Sequence, residues 1–274
     1  MKRPASQPGS GFRGSCFGWS NGTVAIELRD VTKRFGQKVA VDGLSLQVGR
    51  GEIFAFLGPN GAGKTTTIKL VAGLLRPDSG LVRVSGHDTS RDGRLAKAEL
   101  AYVPDQPFLY DKLTGREFLG FVAEMYRVPP GVAKERTDEL VRQFDMGDFL
   151  DQLTEGYSHG MKQRTVLAAA LLHEPQVLLI DEPMVGLDPK TVRLVKNMFV
   201  ELARSGRSVF MSTHTLEVAE AVADRIGIIH HGRLIAAGTL SELRRRGVEQ
   251  ASLEEIFLTL TAGHDDPQAE TVPA

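Results

Sequence analysis

Apolar and polar positions follow two rhythms along this chain. Val24-Ala-Ile-Glu-Leu28 reads as a strand, and Leu44, Leu46 and Val48 alternate with polar neighbours as a half-buried strand does. Ile53-Phe-Ala-Phe-Leu57 and Val177-Leu-Leu-Ile180 are unbroken apolar runs, the pattern of strands covered on both faces. Leu81–Val84 and Ser208–Ser212 are further short strands, and Arg225–His230 with Arg233–Ala237 reads as a hairpin turning at His231-Gly232. The slower rhythm predicts helices over Gly63–Ala72, from Thr114 toward Arg127, after Pro129-Pro130 through Phe144, from Ser158 to His173, over Pro189–Arg204 and over Thr215–Ala223. Thr114-Gly-Arg-Glu117 and Ser252-Leu-Glu-Glu255 are capping boxes, the second opening a last helix. Strands alternating with helices predict an α/β fold, a mostly parallel sheet with helices on both faces. The stretch 91–172 is more helical, and about 99–172 reads as an inserted helical subdomain. No internal repeat is visible.

The ordered pattern spans 24–260. Residues 1–22 differ: eleven are Gly, Pro or Ser, and this segment holds the only Trp, Trp19, and the only Cys, Cys16. It reads as a disordered N-terminal tail, and 262–274 as a polar, acidic C-terminal one. One cysteine excludes an intrachain disulfide and a CxxC metal knuckle, and points to a reducing compartment. Hydrophobic residues at 42% and charged residues at 24% are ordinary globular values. A net charge of −1 gives no global field toward nucleic acid or anionic lipid, so no nucleic-acid partner is expected. No apolar run reaches the ~18–20 residues of a membrane span, and no signal peptide is read at the N-terminus.

The chemistry begins after Leu57. Gly58-Pro-Asn-Gly-Ala-Gly63-Lys64-Thr65 fits G-x-x-x-x-G-K-[ST] and joins a strand to a helix, the context of a P-loop. Glycines let backbone N–H groups wrap a phosphate, and the helix N-terminus adds donors and partial positive charge. Lys64 would sit on the β- and γ-phosphates of ATP, and the Thr65 hydroxyl would ligate Mg²⁺. Gly58, Pro59, Asn60, Gly61, Ala62, Gly63, Lys64, Thr65 and Thr66 are therefore the candidate ATP-binding loop. A second apolar strand ends in Asp181-Glu182, and ligands of open α/β sheets sit at the carboxyl ends of strands. Asp181 is placed to hold Mg²⁺. Glu182, one residue on, is placed to orient or deprotonate water attacking the γ-phosphate.

Further motifs fall in order. Tyr157-Ser-His-Gly-Met-Lys-Gln-Arg164 resembles the LSGGQxQR signature of ATP-binding-cassette (ABC) ATPases. Gly186-Leu-Asp188 resembles their D-loop, Ser212-Thr-His214 their switch histidine, Arg34-Phe35-Gly36 their adenine-stacking position and Ala101-Tyr-Val-Pro-Asp105-Gln106 their Q-loop. The resemblance covers about 24–260, and Lys64 and Ser158 stand 94 residues apart, as in a transporter ATPase. It implies a P-loop core, an N-terminal antiparallel β layer and an inserted helical subdomain. Two copies, identical or paralogous, would meet head to tail with ATP between the P-loop of one and the signature of the other. Ser158 and the Gly160 backbone would contact the γ-phosphate from across that interface, Phe35 would stack on adenine, and His214 would couple the γ-phosphate to Glu182. The catalytic set is then Lys64, Glu182 and His214, and the metal set Thr65, Asp181 and, at the Q-loop position, Asp105. Tyr157, His159 and Met161 depart from the commonest signature, and Asp105 stands where Gln is usual. Both departures, with Gly238-Thr-Leu-Ser-Glu-Leu243 and the segment from Ser252 to Phe257, resemble ATPase subunits of ABC-2-type exporters. The implied function is the ATPase subunit of an exporter, peripheral at the cytoplasmic face of the cell membrane and powering a separate integral-membrane permease. A soluble ABC ATPase of ribosomes, DNA or assembly, and a nucleotide-sensing regulator, are the alternatives.

Overall fold

Strand β1 (Val24–Phe35) runs past the apolar segment that announces it and pairs antiparallel with β2 (Lys38–Gly49). The alternation breaks at Asp30, whose φ of 48° accompanies a register shift between Leu28 and Val31. β3 (Ile53–Leu57) is buried at every residue and leads through a glycine-rich loop into helix α1 (Lys64–Val71). β4 (Ser79–Val84) and β5 (His87–Asp88) complete a four-stranded antiparallel sheet in the order β2-β1-β4-β5. The computed structural model describes residues 24–246 and 252–262. The expected tails at 1–22 and beyond 262, with Cys16 and Trp19, lie outside the described residues.

After α2 (Gly93–Ala98) comes β6 (Leu100–Val103). A strand was not expected within a stretch read as more helical from 91, and β6 pairs parallel with the carboxylate-bearing strand. Four residues flanked by Leu95-Ala-Lys-Ala98 carry too short a pattern to separate strand from helix. The helical segment itself follows: α3 (Gly115–Met125), α4 (Pro130–Gln143) and α5 (His159–Leu171). The Thr114–Glu117 capping box closes in both directions, Glu117 N–H donating to Thr114 Oγ1 at 3.2 Å and Thr114 N–H to Glu117 Oε2 at 2.8 Å.

The remaining elements are β7 (Val177–Asp181), α6 (Pro189–Arg204), β8 (Ser208–Thr213), α7 (Leu216–Val222), β9 (Arg225–His230), β10 (Arg233–Gly238), α8 (Leu240–Arg246) and α9 (Leu253–Ala262). They make a six-stranded sheet in the order β10-β9-β3-β8-β7-β6, parallel except at β10. The β9–β10 hairpin turns at His231 (φ 45°) and Gly232 (φ 78°), the left-handed pair a two-residue turn requires. β3 lies at the centre and serves two cores. Phe54 and Phe56 pack with Phe210 and the apolar face of α1, while Ile53, Ala55 and Leu57 join the core under α5 and α6. Five strands thus point their carboxyl ends the same way, and the loops after β3, β6, β7 and β8 converge on one edge.

Candidate functional site

The loop after β3 is fixed by two close approaches. A Cβ on Gly58 would lie 2.5 Å from the Ile229 carbonyl oxygen, and one on Gly63 would lie 2.4 Å from that of Ala40. Gly63 also has φ 111°, a region side chains rarely enter. Ala62 is buried and clamped, its N–H donating to Pro59 O at 3.2 Å and its carbonyl accepting from Gly232 N–H at 2.9 Å. Asn60 and Gly61 face solvent, and Thr66 is half-buried. The first helical bond of α1 runs from Thr67 N–H to Gly63 O, so the amides just before Thr67 open the helix toward the loop.

Lys64 is buried and folds back over this loop. Its ammonium donates to Gly58 O at 2.7 Å and Pro59 O at 3.1 Å. Burial lowers its pKa, and the negative charges of Glu182 and Asp181 oppose that shift. Those carboxylates belong to the end of β7 and the residue after it. Asp181 is 2% exposed. Its Oδ2 accepts from the Thr65 hydroxyl at 2.8 Å, and its Oδ1 accepts from the Ser212 hydroxyl on β8. The parallel register sets Asp181 opposite Ser212.

Glu182 has φ 50°, unusual for a residue with a side chain and typical of strained functional positions. Its N–H donates to Ser212 O at 3.0 Å. Its side chain meets the turn after β8: His214 Nδ1 stands 2.8 Å from Oε1, and Thr213 Oγ1 and His214 N–H reach Oε2 at 3.2 and 3.4 Å. An ionised carboxylate only accepts, so Nδ1 carries the proton toward Glu182 and Nε2 is left as the imidazole's other face. The His214 side chain is half exposed, whereas that of Glu182 is largely covered.

The predicted residues thus divide. Gly58, Pro59, Lys64, Thr65, Asp181, Glu182 and His214 form one connected set. Ala62, bonded to Pro59, and Asn60, Gly61, Gly63 and Thr66 belong to the same loop, whereas Phe35, Ser158, Gly160 and Asp105 stand apart from the set. Phe35 lies at the end of β1, half exposed, with Lys33 Nζ 5.6 Å from its ring centroid. Ser158 caps α5, accepting from Met161 N–H at 3.3 Å. Gly160 lies in the first turn of α5, packed beside Asp188 and Thr191 at the start of α6. His159 Nε2 stands 3.1 Å from Val185 O, joining the signature-like segment to the D-loop-like one. Asp105 is exposed two residues past β6, its Oδ1 accepting from Gln106 N–H. Tyr102 of β6 lies close enough to Asp181 and Asp105 for both to add to the effect of burial, which pushes its phenol up to about 12. Ser212, Thr213 and Tyr102 fall inside the segments read as switch-histidine-like and Q-loop-like, but no role was assigned to them there.

Hard oxygen donors 2.8 Å apart, the Thr65 hydroxyl and the Asp181 carboxylate, suit Mg²⁺. Among the described residues no three His, Cys, Asp or Glu side chains converge into a metal cage. A cation held here would take its remaining ligands from phosphate and water, as Mg²⁺ does.

A second surface feature lies on α3 and the segment before it. Phe108, Tyr110, Phe121, Met125 and Tyr126 are exposed, and Tyr110 makes edge contacts at 5.6 Å with both Phe108 and Phe121. Phe108, Tyr110 and Phe121 thus form one exposed aromatic group. No helix among the described residues is long and apolar enough to cross a membrane.

Comparison with known proteins agrees with this geometry. A family model described as ABC transporter matches residues 41–185. The daunorubicin resistance ATP-binding protein DrrA3 of Streptomyces coeruleorubidus is 40% identical over 221 residues, covering 81% of this chain and 70% of its own. The ABC-type transporter ATP-binding protein EcsA of Bacillus subtilis is 34% identical, covering 88% of this chain and 99% of its own. A solved structure of the ATP-binding subunit of an ABC transporter superposes with a TM-score of 0.82 at 34% identity, covering 86% of this chain and 99% of that one.

Proposed function

The chain belongs to the ABC transporter family as an ATP-binding, ATP-hydrolysing subunit, and on that premise we propose how its residues divide the work and what they serve. The P-loop backbone from Gly58 to Thr66 cradles the phosphates. Lys64 exchanges its two carbonyl partners for β- and γ-phosphate oxygens. Phosphate oxygens carry full charge and bind an ammonium more strongly than neutral carbonyls do. Thr65 and Asp181 hold Mg²⁺, which neutralises developing charge on the phosphates when bound, and Asp105 reaches that ion through water. Glu182 orients and deprotonates the attacking water, and His214 fixes the carboxylate through Nδ1 while offering Nε2 to the γ-phosphate.

The observation that carries this reading is the Glu182–His214 contact of 2.8 Å placed one residue beyond an Asp181 already bonded to the P-loop threonine. A chain that only sensed nucleotide would need Asp181 and Lys64 but no held base. Phe35, Ser158 and Gly160 lie outside this connected set, as expected of groups that meet ATP at its adenine or from a second copy in a head-to-tail dimer. The aromatic surface around Phe108, Tyr110 and Phe121 receives a separate membrane permease, which places the subunit at the inner face of the membrane. Relatives named for daunorubicin and linearmycin resistance favour export as the direction of transport.

The test is Glu182→Gln. It keeps the size of the side chain but removes the base. Turnover should fall by about 10²-fold or more. With ATP and Mg²⁺ the variant should run as a dimer in size-exclusion chromatography with light scattering, while the wild type returns to monomer. Undiminished turnover in the variant would overturn the assignment.

A further inference from the structure

We propose that Thr213 is a positioning residue for Glu182, and this deepens the reading above, resting on Glu182 as the group that acts on water. Glu182 is an awkward base to hold. It follows the end of β7 with a left-handed backbone, and the terminal torsion of a glutamate is broad and soft. Something must fix both carboxylate oxygens. His214 Nδ1 holds Oε1 at 2.8 Å. On Oε2 the His214 backbone N–H is long at 3.4 Å, and the nearer donor is the Thr213 hydroxyl at 3.2 Å.

That hydroxyl is itself directed. Thr213 is 2% exposed, and its Oγ1 accepts from Thr215 N–H at 3.0 Å. A hydroxyl has one proton to give. With the Thr215 amide donating into its oxygen, that proton is turned to Glu182. The two bonds form a chain, amide to hydroxyl to carboxylate, in which each polarises the next. Thr213 is also fixed from below, paired in register with Leu57, the last residue before the phosphate loop. Its position relative to the loop is therefore set by the central strands rather than by the turn beyond. Ser212 does for Asp181 what Thr213 does for Glu182, so successive hydroxyls at the end of β8 serve successive carboxylates at the end of β7.

The experiment compares Thr213→Val, which keeps shape and loses the hydroxyl, Thr213→Ala, a second apolar variant, and Thr213→Ser, which keeps the hydroxyl. Steady-state phosphate release gives kcat and KM, and equilibrium binding of a fluorescent ATP analogue is measured separately. Both apolar variants should lose about tenfold or more in kcat. KM and analogue affinity should stay near wild type, and the serine variant should recover most of the rate. The proposal is overturned if the apolar variants keep the wild-type kcat, if they lose analogue binding in step with rate, or if the serine variant is as slow as valine. Glu182→Gln is measured alongside. An active Glu182→Gln would remove the underlying reading of Glu182, whereas an inactive one beside a normal Thr213→Val would remove only the role of Thr213.

Discussion

At the scale of single residues, the site is a set of buried charges held ready by neighbours. Lys64 occupies its own loop carbonyls, and ATP competes with contacts of 2.7 and 3.1 Å rather than with bulk water. Lys64→Ala should therefore weaken nucleotide binding by roughly ten- to a hundredfold, the scale of a hydrogen bond to a charged group, about 1.5–3 kcal/mol. Titration with a fluorescent ATP analogue checks this, and unchanged affinity would place the phosphates elsewhere. Gly63→Ala acts through the backbone. With φ 111° and a carbonyl oxygen 2.4 Å from the new Cβ, it should cost more than about 1 kcal/mol of stability and displace the start of α1. Thermal unfolding with and without ATP reads both effects. The phosphate loop and the Asp181-Glu182 pair were legible in the sequence because their chemistry is contiguous along the chain. Ser212, Thr213 and Tyr102 were not. Each sits beside a residue that a motif did mark, but its own role arises only through a contact made across parallel strands.

At the scale of elements, local signals read well where they are complete. Both capping boxes close, the 231–232 turn has the backbone its glycine suggests, and Pro189–Arg204 is helical to the residue. β6 was lost because its four residues border a helix-like run, although it brings Tyr102 close to Asp181. One junction carries a pH signature. His173, between α5 and β7, stacks on Tyr126 at 3.7 Å and sets Nε2 3.2 Å from the Leu100 carbonyl, while its Nδ1 is buried without a hydrogen-bond partner among the described residues. Burial, with the Arg136 charge adding to it, lowers the pKa in the folded state, and the Leu100 carbonyl offsets part of the shift. The unfolded chain keeps the ordinary value near 6.5, so below that pH it binds the extra proton first. The stability contribution is present above about 6.5 and lost as pH falls toward the depressed value. His173→Gln, which keeps a donor for Leu100 O, should flatten the decline in urea-unfolding free energy between pH 7.5 and 5.5. Equal slopes in variant and wild type would refute the assignment.

At the scale of the whole molecule, two sheets carry the candidate ATP site and the helical segment carries an exposed aromatic group. The parallel sheet follows from alternation of strands with helices and from the fully buried central strands, which is why the α/β class was readable from pattern, whereas the antiparallel layer came in through the family resemblance. The second copy and the permease are not written in any local pattern. They enter through the family to which the chain belongs, and the exposed surface near Phe108 is the one proposed above for the permease. Phe108→Ala with Phe121→Ala should leave the isolated subunit's turnover unchanged and reduce recovery of a polytopic membrane protein from detergent-solubilised membranes. Equal recovery would move the docking surface elsewhere. The central claim, that this chain hydrolyses ATP at the site built from β3, β7 and β8, is tested most directly by one measurement. Phosphate release by the purified protein is followed with ATP and Mg²⁺, wild type beside Glu182→Gln at equal concentration. Steady turnover in the wild type and its near-complete loss in the variant is the predicted result; equal rates in the two would contradict the account.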